Sequence, residues 1–281
     1  MMSKFNNCII LKGIGGLYHI DTPMGVYFCR PKGIFRLENI SPITGDFVNI
    51  EILHEEDREG VITEILPRKT ELIRPRVANV DQAIIVISAK NPKPNFDLLD
   101  RLTILAKRHY LDAVIVFNKI DLAKVDCGIY EKIGYKVIKT STQTKEGIEE
   151  LRDSLKSRVS VFCGNSGVGK SSLINLIVGN SLQEIGDVSS KGSGKHTTRA
   201  SSLIKLEDAL LVDAPGFSSL KFDFEKEELK DFFLEFSGEC KFLDCLHLDE
   251  PGCAVKGNIE NVRYERYKAL YEELRKNEKR Y

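Results

Sequence analysis

Short runs in which apolar residues alternate with polar ones occupy residues 1–70: Asn7–Leu11, Leu17–Ile20, Gly25–Cys29, Phe47–Glu51 and Gly60–Ile65. Gly15-Gly16, Asp21-Thr-Pro23, Ser41-Pro42 and Gly45-Asp46 punctuate them. Period-two runs cut by turn residues predict five strands of a small barrel, OB-fold-like or SH3-like. A basic connector follows, Arg68-Lys69 and Arg74-Pro-Arg76, and then the pattern changes. Gln82–Ser88, Asp112–Phe117, Tyr135–Thr140, Val159–Cys163 and Ala209–Asp213 are nearly continuous apolar runs, as expected of strands covered on both faces of a parallel sheet. Between them, Phe96–His109, Leu122–Ile133, the segment opened by Lys145-Glu-Gly-Ile-Glu-Glu-Leu, and Ser172–Val178 repeat apolar residues at helical spacing. A last amphipathic helix is expected within Gly257–Tyr281. The fold class is therefore multidomain α/β: a barrel at 1–70, an α/β domain at 71–222, and a helical region at 223–281.

Composition narrows the picture only in places. Acidic and basic residues balance at 41 each, so whole-chain charge does not select a nucleic-acid partner. Residues 1–67 hold six Lys/Arg against nine Asp/Glu, so RNA contact by the barrel would rest on local cations such as Lys32 and Arg36. No apolar run approaches a membrane span, and the first residues lack the pattern of an export signal. Cys8, Cys29, Cys127 and Cys163 lie scattered among apolar neighbours, which suits buried thiols in a reducing cytoplasm. Cys240, Cys245 and Cys253 crowd around His247 instead.

Three motifs carry the chemistry. Gly164, Asn165, Ser166, Gly167, Val168, Gly169, Lys170 and Ser171 fit G-x-x-x-x-G-K-[ST], between a strand-like run and a helix opened by Ser172. Glycines there let backbone N–H groups face phosphate oxygens, while Lys170 would bridge the β- and γ-phosphates and Ser171 would ligate Mg²⁺. Asn118-Lys119-Ile120-Asp121 is N-K-x-D at a strand end. The Asp121 carboxylate can accept from guanine N1–H and the exocyclic amine, the Asn118 amide can meet the acceptor edge, and the Lys119 stem can lie over the base. Adenine would leave that carboxylate unpaired. The Ser141-Thr-Gln-Thr144 turn suits the loop whose backbone closes over guanine. Asp213-Ala-Pro-Gly216 matches D-x-x-G: Asp213 would hold Mg²⁺ through water, and the Gly216 N–H would meet the γ-phosphate.

The polar segment 184–199, ending in Lys195-His-Thr-Thr-Arg199, suits a switch loop whose threonine completes the Mg²⁺ shell. Thr198 is favoured, with Thr197 a close alternative. Phe217 stands where Ras-like enzymes carry the glutamine that orients water, so hydrolysis needs another group or a partner. His196 is the nearest candidate. The motifs run N-K-x-D, P-loop, D-x-x-G, a circular permutation of the ordinary order. Their loops would still share the carboxyl edge of one sheet.

Cys240, Cys245, His247 and Cys253 read C-x₄-C-x-H-x₅-C. Three thiolates and an imidazole make a closed set suited to structural zinc. The surrounding segment reads as short and polar, so the metal is expected to supply much of its folding energy. In the tail, Tyr264, Tyr267 and Tyr271 stand at helical spacing among excess basic residues, a pattern that fits core packing and RNA contact equally.

With NKID, GNSGVGKSS, KHTT, DAPGF and the zinc ligands over nearly its whole length, the chain resembles the RsgA/YjeQ family of small-ribosomal-subunit-dependent GTPases. The resemblance implies an OB-fold barrel, GTP/GDP with Mg²⁺, and one zinc ion. It also implies late assembly of the small (30S) subunit as the task, with GTP hydrolysis stimulated by that subunit and its 16S-type rRNA as partner. A cytoplasmic monomer without membrane contact is expected. A GTP-gated RNA-binding regulator with little turnover is the rival reading.

Overall fold

Five strands close on themselves in the amino-terminal part of the computed structural model, which describes residues 3–37, 40–179, 201–213 and 222–278. They are β1 (Lys4–Ile14), β2 (Leu17–Thr22), β3 (Gly25–Pro31), β4 (Phe47–His54) and β5 (Glu59–Ile65). The order is β1-β2-β3-β5-β4 with β4 returning to β1, and β3 and β5 run parallel. Ile10, Ile20, Cys29, Val48, Ile50 and Ile62 fill the interior. A four-residue helix, α1 (Ile34–Leu37), is too short to have shown periodicity in the sequence. Arg36 lies in it, with its side chain outside the described set. Lys32 stands 3.5 Å from Glu51.

The basic connector is in fact a hairpin, β6 (Glu71–Ile73) and β7 (Arg76–Ala78). Arg68 is committed to structure: its guanidinium lies 2.6 Å from fully buried Asp46 and 2.7 Å from Glu71. Strands of three residues around a proline leave too little pattern to read.

The α/β domain contains β8 (Gln82–Ser88), β9 (Asp112–Asn118), β10 (Lys136–Thr140), β11 (Val159–Cys163), β12 (Ser202–Lys205) and β13 (Leu210–Asp213). Their order is β10-β9-β8-β11-β13-β12. All are parallel except β12, whose four residues are too short for a sequence pattern to predict and which runs antiparallel to β13. The apolar runs are buried on both faces, as expected. Ala83, Ile85 and Ile87 pack towards α2 (Phe96–Arg108) and α3 (Gly128–Ile133). Ile84 and Val86 pack towards α4 (Ile148–Leu155) and α5 (Lys170–Val178).

Two helices start later than their periodicity suggested, each for a local reason. Asp126 accepts from the Gly128 N–H at 3.0 Å, a turn that competes with helix before α3. Gly147, at φ 71°, sits where a Cβ would lie 1.9 Å from the Lys139 carbonyl, so the chain turns there before α4.

The carboxyl-terminal region has a fuller core than its polar sequence suggested. A 3-10 helix (Lys226–Phe232) and α6 (Asn261–Glu278) bring Phe224, Leu229, Phe233, Tyr267 and Leu270 onto Ile104 of α2. Tyr264, Tyr267 and Tyr271 are all buried, which decides between their two readings in favour of core. Ionic contacts reinforce the seam. Asp100 of α2 is fully buried, pairs with Arg263, and accepts from Tyr130 at 2.6 Å and from Arg266 at 3.3 Å. Arg263 also meets Glu235 at 2.7 Å and lies 4.7 Å over the Phe233 ring.

Breaking a buried pair from one side costs more than its net worth, because the other charge stays buried. Arg263→Met is therefore expected to destabilise the protein by about 3 kcal/mol in urea unfolding. Lys268→Met, which removes a partly exposed ion pair with Glu265, should change stability by less than about 1 kcal/mol.

Candidate nucleotide and metal sites

Because five strands run parallel, their carboxyl ends fall on one edge. Ser88, Asn118, Thr140, Cys163 and Asp213 are the last residues of those strands. Asn118–Asp121, Ser141 and Gly164–Ser171 follow at this edge, with Asp213 on the neighbouring strand.

The glycine loop is shaped by close approach. Gly164 has φ 133°, and a Cβ there would lie 2.2 Å from the Val86 carbonyl oxygen. Gly169, at φ 99°, caps α5, and a Cβ would lie 2.3 Å from Asn118 Nδ2. Lys170 crosses the loop, its Nζ donating to the carbonyls of Gly164 and Asn165, both at 2.8 Å. Partial burial lowers the pKa of this ammonium, against a smaller opposing effect of Cys163. A desolvated cation facing only carbonyls suits a polyanionic ligand. Asn165, Ser166, Gly167, Ser171 and Ser172 are exposed, while Val168 is buried beneath them.

The N-K-x-D loop is hydrogen-bonded to the glycine loop. Asn118, fully buried, donates from Nδ2 to Val168 O at 2.9 Å and accepts from Thr140 Oγ1 at 3.2 Å. Lys119 Nζ donates to Gly167 O at 2.7 Å and to the carbonyl of Asn91. The Ile120 N–H donates to Thr140 O at 3.3 Å. Asp121 is exposed, and its carboxylate accepts from Ser141 Oγ at 2.5 Å. Buried Ser141 is fixed in turn by the N–H groups of Gln143 and Thr144, at 3.2 and 3.1 Å. A carboxylate aimed this way can accept a paired set of N–H donors, as guanine offers. Asn91 gave no sign of its role in the sequence beyond a proline-rich turn.

Asp213 is exposed at the end of β13. His196, Thr197, Thr198, Gly216 and Phe217 lie outside the described residues.

The ligand atoms of Cys240, Cys245, His247 and Cys253 all lie within 4.8 Å of one another. Nδ1 of His247 is 3.5 Å from each of the three sulfurs. Zinc–sulfur and zinc–nitrogen bonds of about 2.3 and 2.0 Å give a tetrahedral edge of about 3.5 Å, so the donor set fits that ion. Burial, with Lys230 adding to it, lowers the His247 pKa and favours the neutral imidazole a metal needs. The Ala254 N–H, 3.3 Å from Cys240 Sγ, favours its thiolate. His247 itself has φ 60° and is held from several sides. Glu250 accepts from the N–H groups of Leu246 and Leu248 at 2.9 and 2.8 Å, and Tyr267 and Tyr264 donate to the carbonyls of the same two residues. Phe236 meets the imidazole edge-on, with ring centroids 5.1 Å apart. The supports from Tyr264, Tyr267 and Phe236 lie outside the span that holds the four ligands, and the spacing of Glu250 alone does not disclose its role.

Comparison with known proteins agrees with this geometry. Residues 65–223 match the family model described as RsgA GTPase, and residues 7–62 match the RsgA N-terminal domain. A protein of Alkaliphilus metalliredigens named small ribosomal subunit biogenesis GTPase RsgA is 45% identical, over 95% of this chain and 97% of its own. Its namesake in Caldanaerobacter subterraneus is 44% identical, over 96% of each chain. The crystal structure of YjeQ from Thermotoga maritima aligns with TM-score 0.81 at 36% identity, covering 97% of this chain and 99% of that one. YloQ, described as a circularly permuted GTPase, aligns with TM-score 0.82 at 35% identity, covering 99% and 96%.

Gly167 and Gly169 provide an internal comparison. Both have positive φ, but a Cβ on Gly167 would meet nothing closer than Pro92 at 3.8 Å. Gly167→Ala should cost roughly 1–2 kcal/mol of backbone strain. Gly169→Ala must also displace Asn118 from Val168 and Thr140, so its urea midpoint should fall distinctly further.

Proposed function

The chain belongs to the RsgA GTPase family, and from that premise we propose that it binds the small ribosomal subunit and assists its maturation, hydrolysing GTP to GDP and phosphate when the subunit stimulates it. The observation that carries the nucleotide part is the fusion of the guanine loop to the phosphate loop, Asn118 to Val168 and Lys119 to Gly167. Base and phosphates are then read by one rigid unit, which favours discrimination by geometry.

In this reading Asp121 accepts from the guanine edge, with Ser141 holding its carboxylate and Asn118, Lys119 and Ile120 forming the rest of the base pocket. Gly164 to Ser172 wrap the phosphates, and Lys170 neutralises charge on the β- and γ-phosphates. Ser171, Asp213 and Thr198 (or Thr197) would hold Mg²⁺, which when bound offsets the charge developing on the phosphoryl oxygens. Gly216 would meet the γ-phosphate, and His196 would orient the water in place of Phe217. Cys240, Cys245, His247 and Cys253 would hold one structural zinc ion. The barrel (1–70) and the zinc region (223–281) would flank the GTPase (71–222) as arms contacting 16S-type rRNA, the protein acting as a cytoplasmic monomer. Among the described residues no helix is long and apolar enough to cross a membrane.

The first test is GTP hydrolysis with and without purified small subunits. Stimulation by small but not large subunits is expected, with loss in Lys170→Ala. Tight GTP binding without stimulation would favour the GTP-gated RNA-binding regulator. If His196→Ala leaves stimulated hydrolysis unchanged, its assigned role is wrong.

The metal is checked separately. Purified protein should carry about one zinc per chain by atomic spectroscopy. Cys245→Ser should lose it and bind small subunits more weakly, while guanine-nucleotide affinity stays within about two-fold, because the metal loop lies outside the nucleotide edge.

A further inference from the structure

Asp213 ends a strand that connects to the barrel through one intermediate strand. Among the described residues, β13 pairs with β11 from Val159↔Leu210 to Val161↔Val212. On the other side, Asp213 is paired with Ser202 of β12. Ser202 in turn is paired with Lys12 of the barrel strand β1. Lys12, Ser202 and Asp213 therefore form one row across three strands, which places Asp213 about 10 Å from the barrel backbone.

The barrel grips this strand at three further points. Thr44 donates from Oγ1 to the Ser201 carbonyl at 2.9 Å, and both residues are buried. Lys205 Nζ lies 2.6 Å from Asp21 Oδ2 of β2. Ile9 of β1 joins the same apolar cluster as Leu203 and Val212. Without the barrel, β12 would be a four-residue edge strand, the least constrained element of an open sheet.

We infer that the barrel positions Asp213 through β12, with Thr44 and the Lys205–Asp21 pair as positioning residues for the magnesium-dependent part of nucleotide binding. This rests on the reading of Asp213 as a magnesium-side residue. Loosening β12 lets the Asp213 backbone sample other positions, which weakens what Asp213 contributes when the ion is present and nothing else. The effect is reciprocal: whatever engages the barrel changes magnesium-dependent nucleotide affinity by the same factor that nucleotide changes barrel engagement.

The test uses the full chain and a fluorescent non-hydrolysable GTP analogue, with dissociation constants measured in Mg²⁺ and in EDTA. Thr44→Val should reduce the affinity gained from magnesium by about five-fold, the worth of one buried hydrogen bond. Affinity in EDTA should stay at the wild-type value, and Thr44→Ser should restore the gain. Lys205→Met, a surface change safe for folding, should reduce the gain by about two-fold. A magnesium gain unchanged in both variants, or equal losses in Mg²⁺ and EDTA, overturns the inference. Wild-type protein showing no gain from magnesium would instead overturn the reading of Asp213 on which it rests.

Discussion

A parallel sheet delivers every strand's carboxyl end to the same edge, and the nucleotide site proposed for this protein depends on that constraint. Permuting the chain changes which connection joins two strands but not which edge a loop leaves from. Asn118, Gly164 and Asp213 come from positions far apart in the sequence, yet β9, β8, β11 and β13 set them side by side. Hydrogen bonds then lock adjacent loops together. The Asn118 amide reaches Val168, and the Lys119 ammonium bridges Gly167 and Asn91. Gly169 has to lack a side chain because the Asn118 amide occupies the space a Cβ would need. The N-K-x-D loop and the glycine loop are thus two ends of one packed unit.

The two flanking regions attach to this sheet in physically different ways. The barrel continues it, covering the β12 edge with backbone pairing, the Thr44 hydroxyl and a shared apolar cluster. An uncovered edge would expose unpaired N–H and C=O groups, so the barrel closes a liability while gaining a grip near Asp213. The carboxyl-terminal region docks instead on a helix, through Ile104 and the ion pairs of Asp100. Buried charge of that kind tolerates few alternative arrangements, since any shift leaves Asp100 or Arg263 without its partner.

Much of this was legible in the sequence because motif and period are local. The β8 run reads as a strand buried on both faces, and alternate residues do face opposite clusters. The P-loop, N-K-x-D and cysteine spacings each place their residues without long-range information. What escaped was set by distant partners or by very short elements. The β6–β7 hairpin read as a basic connector because Arg68 discloses its role only beside Asp46. The tyrosines of α6 were balanced between core and RNA because helical spacing says nothing about what lies opposite. The ring of Tyr267 packs on Phe233 and Phe236, and its hydroxyl holds the Leu246 carbonyl. The cysteine-rich segment looked too polar to hold itself, yet the aromatic cluster beneath it comes from Phe224, Phe233 and α6, outside the span that holds the ligands.

Helix α6 shows how a metal loop can be secured without depending on the metal alone. Arg263 and Arg266, three residues apart, face α2 and meet Asp100. Tyr264 and Tyr267, each one position further along, face the metal loop and hold the carbonyls on either side of His247. One-residue offsets on a helix turn the side chain by about 100°, so a single helix serves both surfaces. The arginine contacts involve no ligand residue, and docking of α6 on the GTPase domain therefore does not require the ion. A metal held by these four residues would act on the loop, where three sulfurs surround one imidazole whose backbone sits at φ 60°. Glu250 and the two tyrosines hold that backbone in place, so a metal would meet a histidine already turned towards the sulfurs. Preorganisation by the aromatic core and closure by a metal would be separate contributions to one loop.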